Sequence, residues 1–329
     1  MNKKYPICVI GGGSAGVMAV LRTVLNNDET IFFPGTPKDR KKSREMWVKK
    51  VENMPGHLEY KRGIEQPNKE SLKWLAEGVF KDKFHWKKSL GVTSISKENN
   101  TFQVLDSSGE THECDYVILC TGVTDVQPHI QDSIKDILPY ANKQTADYCL
   151  RCDGHHVFGK ELSIIGDSNS AAWVAIMLYE RYKNPSIHIL TNGKTIQFSE
   201  ESKKLLEIYK IDVHEEEIMQ ILGEVKTGTL EGFVLDQGKH ISTEICFISL
   251  GMIVYNELAI GLGAEVDQRG FVLTNIKGET NVEGLYIAGD LRANLKKQIY
   301  TAWDSAVDAA DDINLKIRRE NRKKVLELY

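Results

Sequence analysis

The sequence predicts an α/β protein built from two βαβ modules, and three observations carry that expectation. A glycine loop, Gly11-Gly12-Gly13-Ser14-Ala15-Gly16, follows an apolar run close to the first residue. A second turn, Gly166-Asp167-Ser168-Asn169-Ser170-Ala171, opens another strand–turn–helix pattern halfway along. Between and around these turns, short apolar runs alternate with amphipathic stretches, as parallel sheets flanked by helices require.

Taken in order, residues 6–10 read as a buried strand, 14–26 as a helix and 30–33 as the returning strand. A basic stretch over 37–50 and a Met54-Pro55-Gly56 turn follow, and residues 72–80 look helical. Residues 84–122 are β-rich, with turns at Asn99-Asn100 and Ser107-Ser108-Gly109, ending in an apolar strand that stops at Gly122. The second module runs from a strand at 162–165 through a helix at 170–181 to a strand at 187–190. Strands are expected at 244–250 and 284–288, then a long helix from about Lys297 and a basic tail over 316–324.

Composition excludes several classes. The 329 residues suggest about two domains at roughly 150 residues each. With 41% apolar and 27% charged residues the chain is ordinary globular material rather than disordered or fibrous. A net charge of −4 offers no global field for nucleic acid. Six cysteines are too few for a secreted disulfide scaffold of this length. No apolar run is long enough to span a membrane and no signal-peptide layout is seen, so a cytoplasmic location without membrane contact is expected.

The first glycine loop fits G-x-G-x-x-G with a strand before it and a helix after it, the context that binds a dinucleotide. Its glycines permit a tight turn and close approach of the backbone to a pyrophosphate, which the helix N-terminus then holds. The second strand ends Phe32-Phe33-Pro34-Gly35 without the acidic residue that binds a nicotinamide ribose. That favours a flavin dinucleotide held by other contacts. Near the C-terminus, Gly289-Asp290 closes a strand where an Asp can accept from a ribityl hydroxyl, and the helix start at Lys297-Gln298-Ile299 can stabilise negative charge on a flavin.

Cys149-Leu150-Arg151-Cys152-Asp153-Gly154 places two thiols at the spacing of a small reducible ring. Arg151 favours the thiolate, and Asp153 can move the proton in thiol–disulfide exchange. His155 and His156 raise a zinc alternative, but C-x-x-C-x-x-H-H is too cramped for four side chains to reach one tetrahedral ion. The redox reading is preferred and no metal is expected. Cys8, Cys114, Cys120 and Cys246 are isolated in apolar segments and read as core residues.

Together these blocks resemble the low-molecular-weight thioredoxin reductases, in order and over nearly the whole chain. The matching blocks are the N-terminal glycine loop, Val51-Glu52-Asn53-Met54-Pro55-Gly56, Cys120-Thr121-Gly122, the Cys149–Gly154 segment and Gly289-Asp290 with Lys297-Gln298-Ile299. The resemblance implies two Rossmann-like dinucleotide-binding domains of the FAD/NAD(P) type, the second inserted into the first. An FAD domain would comprise residues 1–126 and 244–329, and an inserted domain, 127–243, would carry the cysteine pair. It implies a homodimer that binds FAD through Gly11, Gly13, Ser14, Ala15, Gly16, Asn53, Thr121, Gly122, Gly289, Asp290, Lys297, Gln298 and Ile299. By the same resemblance Cys152 faces the flavin, Cys149 attacks a partner's disulfide and Asp153 is the acid/base. The partner would be a thioredoxin-like protein or a small disulfide. Domain rotation would present the pair alternately to flavin and substrate, about segments near 123–126 and 242–244.

The chain departs from the family pattern at the second nucleotide site, expected at Gly166, Ser168, Asn169 and Ser170. Ser168 replaces a glycine, Asp167 adds negative charge, and the next strand ends Thr191-Asn192-Gly193-Lys194 with no arginine to grip a 2′-phosphate. Two lost arginine contacts weaken NADPH binding by about 1.5–3 kcal/mol each. Related branches without the NADPH signature take electrons from ferredoxin or hold a second FAD there, so one or two FAD per chain are expected. The basic stretch, with seven Lys/Arg against Asp39 and Glu45, either steers an acidic electron-transfer protein or is a solvated loop. An NADPH enzyme with an atypical phosphate site, a dithiol oxidase using oxygen and a flavin-bound redox sensor remain alternatives. Trp47, Trp303 and Tyr329 are candidate flavin-stacking aromatics, with a core or interface role favoured for the tryptophans.

Overall fold

The computed structural model describes residues 3–40, 43–46 and 48–328. Lys41, Lys42 and Trp47 of the basic stretch, and the C-terminal Tyr329, lie outside the described residues. The chain forms two compact units. One comprises Met1–Met46, Ile64–Thr124 and Val254–Tyr329, the other Trp47–Gly63 and Asp125–Ile253.

The first unit is built on a mixed sheet centred on Lys4–Ile10, with Thr30–Phe33 and then Phe84–Trp86 parallel on one side. On the other side lies Thr111–Leu119, whose nine residues serve two further neighbours. Its first half pairs antiparallel with Thr101–Asp106, which continues to Val92–Glu98, while its apolar second half pairs parallel with Leu285–Ile287. The central strands are buried on both faces, hence their unbroken apolar runs. Ser14–Leu25 and Ile299–Glu327 pack on one face through Ala19, Val20, Ala306 and Ala309, whose small side chains let helix and sheet approach closely. The basic residues from 316 lie within the last helix rather than in a tail. The helix expected over 72–80 spans Glu65–Glu77. Pro67 falls in its first turn, where no intrahelical N–H is required, and the helix stops at Gly78.

The second unit carries five parallel strands in the order Asp212–His214, Ile187–Leu190, Leu162–Ile165, Ile245–Ile248, Ala146–Asp147. Asn169–Tyr182 crosses over between the second and third of these, and Ile218–Glu224, Thr229–Leu235 and His240–Ser242 form an antiparallel sheet. The expected boundary at 243/244 is therefore wrong by about ten residues. Ile245–Ile248 is fully buried and pairs with both Leu162–Ile165 and Ala146–Asp147, so it closes this sheet instead of returning to the first. The segment 47–63 also belongs to this unit although it precedes it in sequence. The chain passes between units within Val123–Asp125 and Met252–Val254, not near 242–244. Among the described residues no helix is long and apolar enough to cross a membrane.

Candidate functional site

In the first unit the parallel strands end in register. Ile10 aligns with Phe33 and with Leu119, and Leu119 with Ile287, so Gly11, Pro34, Cys120 and Ala288 all follow on the same edge. Ligands of open α/β sheets bind at this carboxyl edge. The Gly11 N–H donates to the Phe33 carbonyl at 2.8 Å and the Cys120 N–H to the Ile10 carbonyl at 2.7 Å, which fixes the loop. Gly11 has φ +110°, and a Cβ there would meet the Cys120 carbonyl at 2.2 Å. At Gly16 a Cβ would fall 1.7 Å from the Gly11 carbonyl oxygen. Only glycine lets this helix start so close to the strand ends.

Gly13 is different. It caps Ser14–Leu25 with extended backbone, no side chain caps the helix, and a Cβ placed there would meet nothing within 4 Å. No acidic residue lies in the first turn. The helix therefore presents its orphan N–H groups and positive dipole end to an open space, a cradle that suits a pyrophosphate. Ser14 and Ala15 form the first turn, and Ala15 packs against Gly289, where a Cβ would lie 2.7 Å from that of Ala15. The Gly289 N–H donates to Ser305 Oγ at 2.9 Å. Asp290 follows, its carbonyl accepting from Lys297 Nζ at 2.9 Å. The same ammonium donates to the Arg292 carbonyl at 2.6 Å and lies 3.8 Å above the Phe271 ring. Burial lowers the Lys297 pKa to about 8. Gln298 caps Ile299–Glu327 in a reciprocal box with Thr301, placing Ile299 in the first turn. These residues, far apart in sequence, are brought to one edge of one unit, and the donor-rich cradle fits a dinucleotide such as FAD. Thr121 is there too, but its hydroxyl donates to the Tyr255 carbonyl at 2.6 Å, and Gly122 turns the chain with φ +67°. Asn53 belongs to the other unit. Trp303 lies in the first turns of the last helix.

In the second unit Cys149 and Cys152 are joined in a disulfide, with Cα atoms 5.2 Å apart. The edge strand Ala146–Asp147 delivers Cys149 to the N-cap of the short helix Leu150–Asp153. The Cys152 N–H donates to Cys149 Sγ at 3.1 Å, so a thiolate at Cys149 would meet a backbone donor at a helix start. Asp153 is buried, and its N–H donates to the Cys149 carbonyl at 2.9 Å. The other four cysteines are buried, and burial pushes the thiols of Cys8, Cys120 and Cys246 up, as core residues require.

Sequence reasoning missed the surroundings of this pair. His156 Nδ1 lies 2.8 Å from buried Asp147, and its Nε2 lies 2.9 Å from Glu52 Oε2. His155 Nε2 approaches the same oxygen at 2.7 Å. The two carboxylates raise the His156 pKa to about 9, overcoming the opposing effect of burial. Asp147 stands two residues before Cys149, and Glu52 falls inside a recognised block, yet nothing local joins either to the histidines.

The second glycine turn also leads from a strand end into a helix start. Ser168 caps Asn169–Tyr182, again without a side-chain cap and with no acid in the first turn. Ser168 bridges Gln197, whose N–H donates to the Asp167 carbonyl at 2.8 Å, so the chain after Lys194 runs alongside the loop. Asn169 Oδ1 accepts from the Ser199 N–H at 3.0 Å and the Ser202 hydroxyl at 2.7 Å. At the strand end, Asn192 accepts from the Ile218 N–H and donates to the His129 carbonyl, and Lys194 is exposed. Gly166 and Ser170 lie on either side of this turn, at the strand end and in the first helical turn.

Residues 5–310 match the model of the pyridine nucleotide-disulphide oxidoreductase family. The chain is 26% identical to a thioredoxin reductase of Bacillus subtilis, covering 95% of this chain and 94% of that protein. It is 24% identical to a 34.2 kDa protein in the rubredoxin operon of Clostridium pasteurianum, over 94% of this chain and 96% of the relative. The fold is that of a putative thioredoxin reductase from Bacillus anthracis, with a TM-score of 0.80 at 22% identity over 96% of this chain and 99% of that one. A thioredoxin reductase from Streptococcus pyogenes matches with a TM-score of 0.81 at 19% identity, over 97% and 100% of the two chains. The chain thus belongs to the pyridine nucleotide-disulphide oxidoreductase family, as a flavin-dependent disulfide oxidoreductase of the thioredoxin reductase type.

Proposed function

We propose that this enzyme passes electron pairs through FAD and the Cys149–Cys152 disulfide to a thioredoxin-like protein or small disulfide, with a donor other than NADPH. The observation that carries the reading is the contrast between the Cys149–Cys152 disulfide and a second glycine turn whose Asn169 side chain already bonds within the protein. Asn169 and Asn192 are both engaged in protein contacts, and no arginine follows the strand Ile187–Leu190. Ferredoxin, or a second FAD in the former NADPH site, would take the donor's place, and the enzyme would work as a homodimer.

When bound, FAD supplies the two-electron carrier. Gly11, Gly13, Ser14, Ala15, Gly16, Gly289, Asp290, Lys297, Gln298 and Ile299 would hold it, with Thr121 and Gly122 at the strand end and Asn53 as a further candidate. An electron pair breaks the S–S bond, leaving Cys149 as thiolate and Cys152 as thiol once one proton is taken up. The Cys149 thiolate attacks a substrate disulfide, forming a mixed disulfide and expelling one substrate thiolate, which takes a proton from water. Asp153 then accepts the Cys152 proton, and the new thiolate attacks Cys149 Sγ. The internal disulfide reforms, the second substrate sulfur leaves with the electron pair, and Asp153 protonates it.

Anaerobic mixing of the flavoprotein with NADPH tests the donor, and quantifying FAD released per chain tests the second flavin. Little bleaching of the flavin band on the timescale of turnover is expected. Rapid, complete bleaching at micromolar NADPH would overturn the donor assignment. The uncapped N-terminus of Asn169–Tyr182 favours one further reading, an NADPH enzyme with an atypical phosphate site, and the same mixing experiment decides it.

A further inference from the structure

We infer that His156, clamped between Asp147 and Glu52, is the positioning residue that sets the proton affinity of the Cys149–Cys152/Asp153 centre, with His155 and Glu52 linking it to solvent. The inference rests on the proposed redox role of that pair and deepens it. A carboxylate oxygen of Asp147, one of Asp153 and a ring nitrogen of His156 all lie within 4.8 Å of one another. Asp147 and Asp153 are 3% and 7% exposed, so neither charge is well solvated. Two buried carboxylates this close repel each other, and one imidazolium between them offsets that repulsion.

The geometry also gives the proton a way out. His156 Nδ1 faces Asp147 at 2.8 Å and its Nε2 faces Glu52 at 2.9 Å, so both ring nitrogens are engaged and both neighbours are acceptors. That arrangement holds the ring doubly protonated. Glu52 shares the same oxygen with His155 at 2.7 Å, and the His155 side chain is 49% exposed. Protons can therefore move from water through His155, Glu52 and His156 to the buried carboxylates without the sulfur pair opening. The groups that face the relay are Glu52 from the 47–63 segment, Asp147 from the edge strand, Asp153 from the cysteine helix and His155 beside it. Behind Asp147, the Cys246 thiol of Ile245–Ile248 is kept neutral by burial. Removing the imidazolium leaves uncompensated negative charge next to the sulfurs, which disfavours a thiolate.

The test is alkylation of Cys149 by iodoacetamide, read by mass spectrometry from pH 5 to 9.5 on dithiothreitol-reduced, FAD-loaded protein. His156→Gln should move the thiolate midpoint up by about one unit or more, while His156→Lys, which keeps the positive charge, should stay near the wild type. His156→Phe restores ring volume without charge and is read the same way should the glutamine variant fail to fold. A midpoint unchanged in both neutral variants overturns the inference while leaving the redox pair in place. A wild-type protein with no reactive thiol at position 149 would instead overturn the proposed function itself.

Discussion

Replacing Gly13 by aspartate should stabilise the flavin-free protein and expel the flavin, two effects of opposite sign at one position. A Cβ at Gly13 meets nothing within 4 Å, and its backbone, φ −76° and ψ −172°, is ordinary for any residue. The helix it opens has no side-chain cap, so an Asp there gains an N-cap bond worth a few tenths of a kcal/mol over glycine and a favourable dipole contact of a few tenths more. The same carboxylate would stand where a pyrophosphate should sit. One like charge at about 4 Å in a medium of effective dielectric near 20 costs about 4 kcal/mol, on the order of a 10³-fold loss of affinity. Melting of the stripped protein and titration with FAD, followed by quenching of flavin fluorescence, read the two effects separately. The reasoning is refuted by a Gly13→Asp protein that binds FAD as tightly as the wild type, or whose stripped form melts lower.

Two further predictions concern stability. Asp106 is buried, accepts from the Ser108 and Glu110 N–H groups and the Ser108 hydroxyl, and pairs with His112 at 2.9 Å. These partners outweigh burial and lower its pKa to about 2. Because the folded-state value is depressed, the stabilisation is full above about pH 4 and is lost as pH falls toward 2. Asp106→Asn should therefore remove about 2 kcal/mol at pH 7 and flatten this acid limb in urea melts, and an unchanged limb would count against it. Lys297 is the reverse case, a lysine lowered by burial to about 8. The unfolded chain binds the extra proton between pH 8 and about 10.5, so stability should rise across that window, by up to about 3 kcal/mol. Lys297→Met should lack the rise, and a parallel pH profile would contradict the buried placement.

How much of this was legible in the sequence depended on how local each signal was. Both glycine turns carry a local spacing signal, as at Gly16, where a Cβ would meet the Gly11 carbonyl, and their strands and helices were readable nearly to the residue. The strand Ile245–Ile248 shows the limit. An apolar run announces burial but not which sheet it will join, and here pairing with Leu162–Ile165 decided the matter. The start of Glu65–Glu77 was obscured by its polar first turn and Pro67, since periodicity emerges only from Leu72 onward. At the Cys149–Cys152 disulfide the cysteine spacing was plain in the sequence. The Glu52–His155–His156–Asp147 cluster was not, because its members are up to 104 residues apart and meet only once segment 47–63 packs with the second unit.

Under the proposed function a flavin and the Cys149–Cys152 pair form one electron-storing unit. Anaerobic dithionite titration of the FAD-loaded protein tests it most directly. The wild type should accept two more electrons per chain than Cys152→Ser before the flavin is fully reduced. Equal uptake by the two proteins would mean that the disulfide stands outside the flavin's circuit.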